Sequence, residues 1–188
     1  MVDAKDPYAP LQAPGISVRV DRALRVATLR YFDAQGAFAQ ACHAALGIPL
    51  PTARHAVEVP GSPAGVEFIL AWRHPTQTLV VSNDGAALSA LQSELRAAVG
   101  GLCLDQSGGL WVVRVQGVRT RDLLLRIGNE ASVPTPGESR ISRIAELPVV
   151  SLSVKPGETL LLLDRVYAEH LLNWIRVTLA DFDPSEVS

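Results

Sequence analysis

Apolar residues along the chain fall into short blocks whose spacing switches between the period of a strand and that of a helix. Residues 24–32, LRVATLRYF, are rich in β-formers and predict a strand. Asp33 stands where its carboxylate could cap a helix reaching about Leu46, and Gly47 with Pro49 and Pro51 stops that helix. Strands are predicted near 54–59, 66–73 and 77–82. Asn83 or Asp84 then caps a second helix, with Leu88, Leu91, Leu95 and Val99 as one buried stripe and Gly100-Gly101 as its end. Trp111, Val113 and Val115 alternate with Val112 and Arg114, as in a strand with one wetter face. After Gly117 a third helix is predicted to about Ile127, closed by Gly128. Residues 139–145 predict a strand, and Val150, Leu152 and Val154 alternate with Ser151 and Ser153 in another. Lys155-Pro156-Gly157-Glu158 places proline and glycine where a type II turn needs them. TLLLL then reads as a fully buried strand, with Asp164 capping a last helix to about Ala180.

Two of these segments align without gaps: HPTQTLVVSN (74–83) and KPGETLLLLD (155–164). In both, a turn containing proline leads through Thr-Leu into an apolar strand, an Asx residue and an amphipathic helix. Such a repeat predicts two related β-β-α units sharing a mostly antiparallel sheet, although any strand-turn-strand-helix unit shares some of that wording. Strands and helices are interspersed through hairpins rather than βαβ crossovers, so the expected class is α+β. A length of 188 residues suits one domain. The expected layout is a flexible arm over 1–20 and a single domain over 21–183, with pseudo-repeated halves at 24–100 and 101–182.

Composition narrows the function more by exclusion than by indication. Hydrophobic residues make up 48% of the chain but aromatics only 5%, giving a Leu/Val/Ala core with few stacking surfaces for bases. A net charge of −2 argues against a general nucleic-acid binder. No apolar run approaches the roughly 18 residues needed to cross a bilayer. The opening MVDAKDPYAPLQAPG is acidic and proline-rich, unlike a signal peptide. Cys42 and Cys103 lie far apart and outside any metal-ligand spacing, so a reduced, cytoplasmic protein is expected.

Candidate chemistry is sparse. His43, His55, His74 and His170 are scattered, and no bound metal is expected. No Gly-x-Ser-x-Gly elbow, GxGxxG turn or GxxxxGK[ST] loop is present, and Ser107-Gly108-Gly109 reads as a hairpin turn. Cys103, between Leu102 and Leu104, reads as a buried inert thiol, as does Cys42. No catalytic or cofactor-binding residue is assigned.

Two regions invite a partner instead. In the helix after Gly117, Leu123, Leu124 and Ile127 face one way, while Arg119, Asp122 and Arg126 share the other. Arg119 and Arg121 near its start oppose the helix dipole, which favours negative charge there. That face fits plain solvent, an acidic partner surface or a small anion. The last helix carries its core stripe on Ala168, Leu171, Leu172, Ile175 and Leu179, and Val166, Tyr167, Trp174 and Val177 widen the apolar surface well beyond it. Arg30, Tyr31, Trp72 and Arg73 add groups of the kind enriched at interfaces. The candidate partner contacts are therefore Arg119, Arg121, Trp72, Trp174 and Tyr167.

Three stretches carry a family resemblance: AWRHPTQTLVVSN, WVVRVQGVRTRDLLLRIG and PVVSLSVKPGETLLLLDRVYAEHLLNWIRVTL. In order and spacing, from roughly residue 24 to 182, the chain resembles the gamma subunit of heterotetrameric sarcosine oxidase. That subunit is similar to the first part of the glycine-cleavage T-protein, a folate-dependent aminomethyltransferase. The sequence departs from the pattern at Thr78, where an aromatic is common, and around Ser132 to Pro136. The Lys-Gly-Cys-Tyr-x-Gly-Gln-Glu motif of a folate-using relative is absent. The resemblance implies an aminomethyltransferase-like fold and a structural, non-catalytic role beside alpha and beta subunits. It also implies that FAD, FMN, NAD and tetrahydrofolate belong to those other subunits. The alternative it leaves open is a stand-alone folate- or small-carboxylate-binding protein.

Overall fold

Apolar residues occupy both faces of the central strands, which forces covering layers on either side of each sheet. The computed structural model describes residues 6–60 and 67–182 and places two antiparallel sheets between two pairs of helices. One sheet has the order β1 (Leu11–Ala13), β2 (Ile16–Val20), β8 (Leu110–Gln116), β11 (Glu158–Asp164), β10 (Leu147–Ser153), β9 (Glu138–Ile144). The other has the order β4 (Ala56–Glu58), β5 (Phe68–His74), β6 (Gln77–Ser82), β3 (Arg25–Tyr31), β7 (Gly101–Asp105). The helices are α1 (Ala37–Leu46), α2 (Gly85–Glu94), α3 (Thr120–Ile127) and α4 (Ala168–Leu179).

Strand alternation sorts the apolar residues into three cores. Val26, Ile69, Leu79 and Val81 from one sheet meet Val112, Leu152, Leu160 and Leu162 from the other between the sheets. The opposite faces pack outward. Leu29, Leu70 and Val80 lie under Phe38 and Cys42 of α1 and Leu88 and Leu91 of α2. Val113, Val115, Leu161 and Leu163 lie with Leu123 and Leu124 of α3 and Leu171, Leu172 and Ile175 of α4. Each fully buried Leu or Val contributes roughly 1.5–3 kcal/mol, so these layers dominate the stability of the fold.

The same strand order appears twice. β3, α1, β4, β5, β6 and α2 build β4-β5-β6-β3, while β8, α3, β9, β10, β11 and α4 build β9-β10-β11-β8. The strand preceding each unit crosses over: β2 pairs with β8 and β7 pairs with β3, so each half lends a strand to the other's sheet. The repeated unit is thus longer than the β-β-α segment read from the sequence, and it builds two sheets rather than one shared sheet.

Local predictions hold where a single residue dictates geometry. Gly47 is left-handed (φ 74°) and its N–H donates to the His43 carbonyl, ending α1. Asp84 caps α2 by accepting from Ala86 and Ala87. Gly157 has φ 70° and the Glu158 N–H donates to the Lys155 carbonyl, as a type II turn requires.

Other expectations need correction. Residues 11–20 are no flexible arm: Pro14-Gly15, with Gly15 at φ 72°, folds β1 onto β2, and Ile16 and Val18 are buried. Asp33 does not cap α1, because its carboxylate accepts from Gln35 in a preceding turn and the helix begins at Ala37 behind Gly36. Val99 is exposed, since α2 ends at Glu94 and a 3-10 turn over Leu95–Ala97 breaks the stripe. Ser107-Gly108-Gly109 joins strands of different sheets and is therefore a crossing, not a hairpin. A 3-10 turn over Arg165–Tyr167 separates Asp164 from α4, and the Asp164 side chain makes no cap bond. The expected arm residues 1–5, residue 66 at the expected start of a strand, and residue 183 at the expected domain end lie outside the described residues.

Candidate partner surface

The final helix presents apolar surface that no core explains. Its inward stripe of Ala168, Leu171, Leu172, Ile175 and Leu179 is buried. On the outward side and in the turn before it, Val166 is 81% exposed, Val177 73% and Trp174 43%, with Tyr167 also exposed. The four surplus residues named from the sequence therefore share one surface. The His170 ring lies 5.8 Å from that of Trp174, and the two border a shallow hollow of about 360 Å³ with Asn173, Val177 and Thr178. Such a face costs nothing in hydrogen bonding to cover, because its side chains are mostly apolar and the helix satisfies its own backbone.

Trp72 sits elsewhere. On β5 it faces the α1 side of its sheet and lines a hollow of about 470 Å³ with Tyr31, His43, Pro49, Leu50 and Pro51. Tyr31 is buried, and its hydroxyl is 3.0 Å from that of Thr78; burial and this hydrogen bond act on the phenol in opposite senses, with burial prevailing to raise its pKa. Tyr31 is thus part of the packing beneath that hollow rather than an interface group. The Tyr31–Thr78 pair also accounts for threonine at the position where an aromatic was expected.

The arginines of α3 divide. Arg119 is only 5% exposed, and its guanidinium lies 4.3 Å from the Phe182 ring centroid and donates to Asp122 at 3.4 Å. It belongs to the inside, which corrects its placement on an exposed arginine face. The reason is the approach of the C-terminal segment, which brings Phe182 over the helix start, a long-range packing that α3's own sequence does not announce. Asp122 consequently pairs with Arg119 at i,i+3, while the Arg126 guanidinium lies 4.5 Å from the centroid of the same Phe182 ring. Arg121 remains outward and holds both oxygens of Glu130 at 2.8 and 2.9 Å.

Sequence reasoning missed a partly buried ionic network around Arg114. Arg114 donates to Asp21 at 2.8 Å and to Glu158 at 2.6 Å, and Gln116 donates to the second oxygen of Glu158 at 2.6 Å. Burial disfavours the Arg114 charge, but its two carboxylate partners outweigh that and raise its pKa. The signal was available only as an arginine among valines in a strand with two covered faces. Among the described residues no group of three or more His, Cys, Asp or Glu is placed to hold a metal, and no helix is long and apolar enough to cross a membrane. Of the two arginines considered for a folate or small carboxylate, Arg119 is covered by Phe182 and Arg121 pairs with Glu130 at the surface.

The fold has known counterparts. One is a chain of the heterotetrameric sarcosine oxidase from Corynebacterium sp. U-96, solved in complex with pyrrole 2-carboxylate, with a TM-score of 0.77 and 21% identity. The correspondence covers 95% of this chain and 90% of that one. Another is the glycine cleavage system aminomethyltransferase T from Bartonella henselae, with a TM-score of 0.68 and 11% identity over 87% of this chain. There it spans 46% of the longer protein. No protein-family profile and no curated protein sequence matches the chain. The chain therefore has the α+β fold common to the sarcosine oxidase chain and to part of the aminomethyltransferase.

Proposed function

We propose that this chain is a non-catalytic structural subunit of a sarcosine-oxidase-like flavoenzyme, working in the cytoplasm beside larger alpha and beta subunits that carry FAD, FMN, NAD and tetrahydrofolate. The observation that carries this reading is the outward apolar face of α4, on a chain whose fold corresponds nearly end to end with a chain of a heterotetramer. Trp174 and Tyr167 are the central contacts, with Val166 and Val177 around them; Trp72 and Arg121 contribute at separate places on the surface. Covering Trp174 and its neighbours supplies apolar burial of roughly 25 cal/mol per Å² without leaving polar groups unpaired. In this reading residues 24–100 and 101–182 are pseudo-repeated halves of one scaffold.

Co-expression with candidate alpha and beta subunits tests the reading. The expected result is co-elution of this chain with flavin absorbance on size exclusion. Trp174→Ala is expected to weaken the complex about tenfold or more, as an aromatic anchor does, while moving the unfolding free energy of the isolated chain by less than about 1 kcal/mol. A monodisperse monomer that ignores the flavoprotein chains would sink the proposal.

A further inference from the structure

The two halves finish their crossed strands differently. β2, lent to the second half's sheet, is covered on its outer edge by β1, which also packs against α4. Arg176 of α4 donates to the Pro7 carbonyl at 3.3 Å and so holds the segment that enters β1. β7 takes the corresponding place beside β3, yet it is the last strand of its sheet. The chain reaches β7 from the 3-10 turn after α2 rather than from a hairpin partner.

The hydrogen-bond phase of β7 is fixed by its neighbours. Phe32 donates to the Gly100 carbonyl and Gln106 to that of Val26, and the register between them is continuous. Antiparallel alternation then turns the polar groups of Leu102 and Leu104 toward β3 and those of Gly101, Cys103 and Asp105 away from it. The outward Cys103 carbonyl accepts from the Gln92 side chain of α2 at 3.2 Å. Between β7 and the end of α2 runs an open groove of about 380 Å³, whose lining includes Gln92, Leu95, Arg96, Gly101, Leu102 and Cys103. On the strand's other face Leu102 and Leu104 are 45% and 39% exposed. An edge with apolar side chains and open backbone groups is a template for another strand.

We propose that β7 is the docking edge for an extended segment of a partner subunit, which adds antiparallel to β7 as β1 adds to β2. The inference rests on the reading that the chain assembles with other subunits. The incoming strand lies along the groove beside α2, and one of its main-chain amides replaces Gln92 at the Cys103 carbonyl. Its residues beside Leu102 and Leu104 are apolar. On the groove side it carries a carboxylate toward Arg96, an exposed cation in the groove lining.

Site-resolved hydrogen exchange on the isolated chain and on the complex with the flavoprotein subunits tests this. The amides of Gly101, Cys103 and Asp105 are expected to slow by about 100-fold in the complex, while those of Leu102 and Leu104, already bonded to β3, change far less. The double variant Leu102→Lys/Leu104→Lys, at exposed positions whose folding is checked by thermal unfolding, is expected to weaken assembly about tenfold or more. A complex in which the three outward amides exchange as in the free chain overturns strand addition and leaves the subunit reading standing. Absence of any complex overturns both. Protection that grows with the concentration of the isolated chain assigns the edge to a second copy and overturns the partner strand.

Discussion

The two crossings between the sheets share a backbone and differ in chemistry. Where β2 passes to β3, Asp21 donates its N–H to the Val112 carbonyl at 2.8 Å; where β7 passes to β8, Gln106 donates to the Val26 carbonyl at the same 2.8 Å. Beneath the first, Arg114 meets the Asp21 carboxylate at 2.8 Å. Beneath the second, the Thr28 hydroxyl meets the Gln106 side chain at 2.7 Å. One junction is an ion pair extended to Glu158, and the other is a neutral hydrogen bond. Strand pairing thus dictates the path of the chain, while the side-chain pair beneath it can be charged or neutral provided that it is satisfied.

Replacing each anchor should separate the two junctions most sharply. Arg114→Leu leaves two carboxylates facing each other and is expected to cost about 3 kcal/mol in urea unfolding. Adding Asp21→Leu and Glu158→Leu should recover most of that loss, because the stranded charges go with their partner. Thr28→Val removes one neutral hydrogen bond and is expected to cost about 1 kcal/mol. Equal losses for Arg114→Leu and Thr28→Val would erase the distinction.

Acid should affect the neutral junction through Asp105. The Ser107 hydroxyl and N–H both donate to its carboxylate, at 2.6 and 2.9 Å, and hold its pKa below the ordinary value. Its contribution is therefore present above the unfolded pKa near ~4 and is lost as pH falls through the lower folded value. Asp105→Asn should flatten this part of the acid limb of stability measured by urea midpoints. Glu138 behaves in the same sense through the Thr135 N–H, so the double variant with Glu138→Gln should flatten it further.

The smallest effect is kinetic. Both thiols lie in the first half's core, where burial, reinforced by Cys103, pushes Cys42 up to about 12 and burial, reinforced by Asp105, pushes Cys103 up to about 11. At pH 8 both should resist iodoacetamide in the folded chain and react once urea unfolds it. If a partner strand covers β7, Cys103 should become slower still in the complex while Cys42 stays unchanged. Mass-spectrometric labelling rates check both statements.

Strand positions were legible because alternation and turns are local, and Gly47, Asp84 and Gly157 each act within a few residues. The apolar face of α4 was legible for the same reason: 3.6-residue periodicity separates Trp174 and Val177 from the core stripe. What escaped the sequence depends on distant packing. Arg119 has the spacing of a surface residue and is covered by Phe182, which lies beyond α4, far along the chain. Arg114 looked like the wet face of a strand, and only the second sheet shows that this face is covered. The crossing at Ser107-Gly109 has the composition of a hairpin, and which sheet the next strand joins is not written in the turn itself.

Lending strands between halves also governs how the protein comes into being. β2 finds its place against β8 only when Gln116 can meet Ser17, roughly a hundred residues later in the chain, and contacts of such long range slow folding. During synthesis the first half leaves the ribosome with β2 unclaimed and with the β7 side of β3 bare. Neither sheet closes until the second half arrives, so a truncated product exposes strand edges to aggregation and proteases. The exchange makes each half depend on the other: only a chain translated through both units pairs β2 with β8 and β7 with β3.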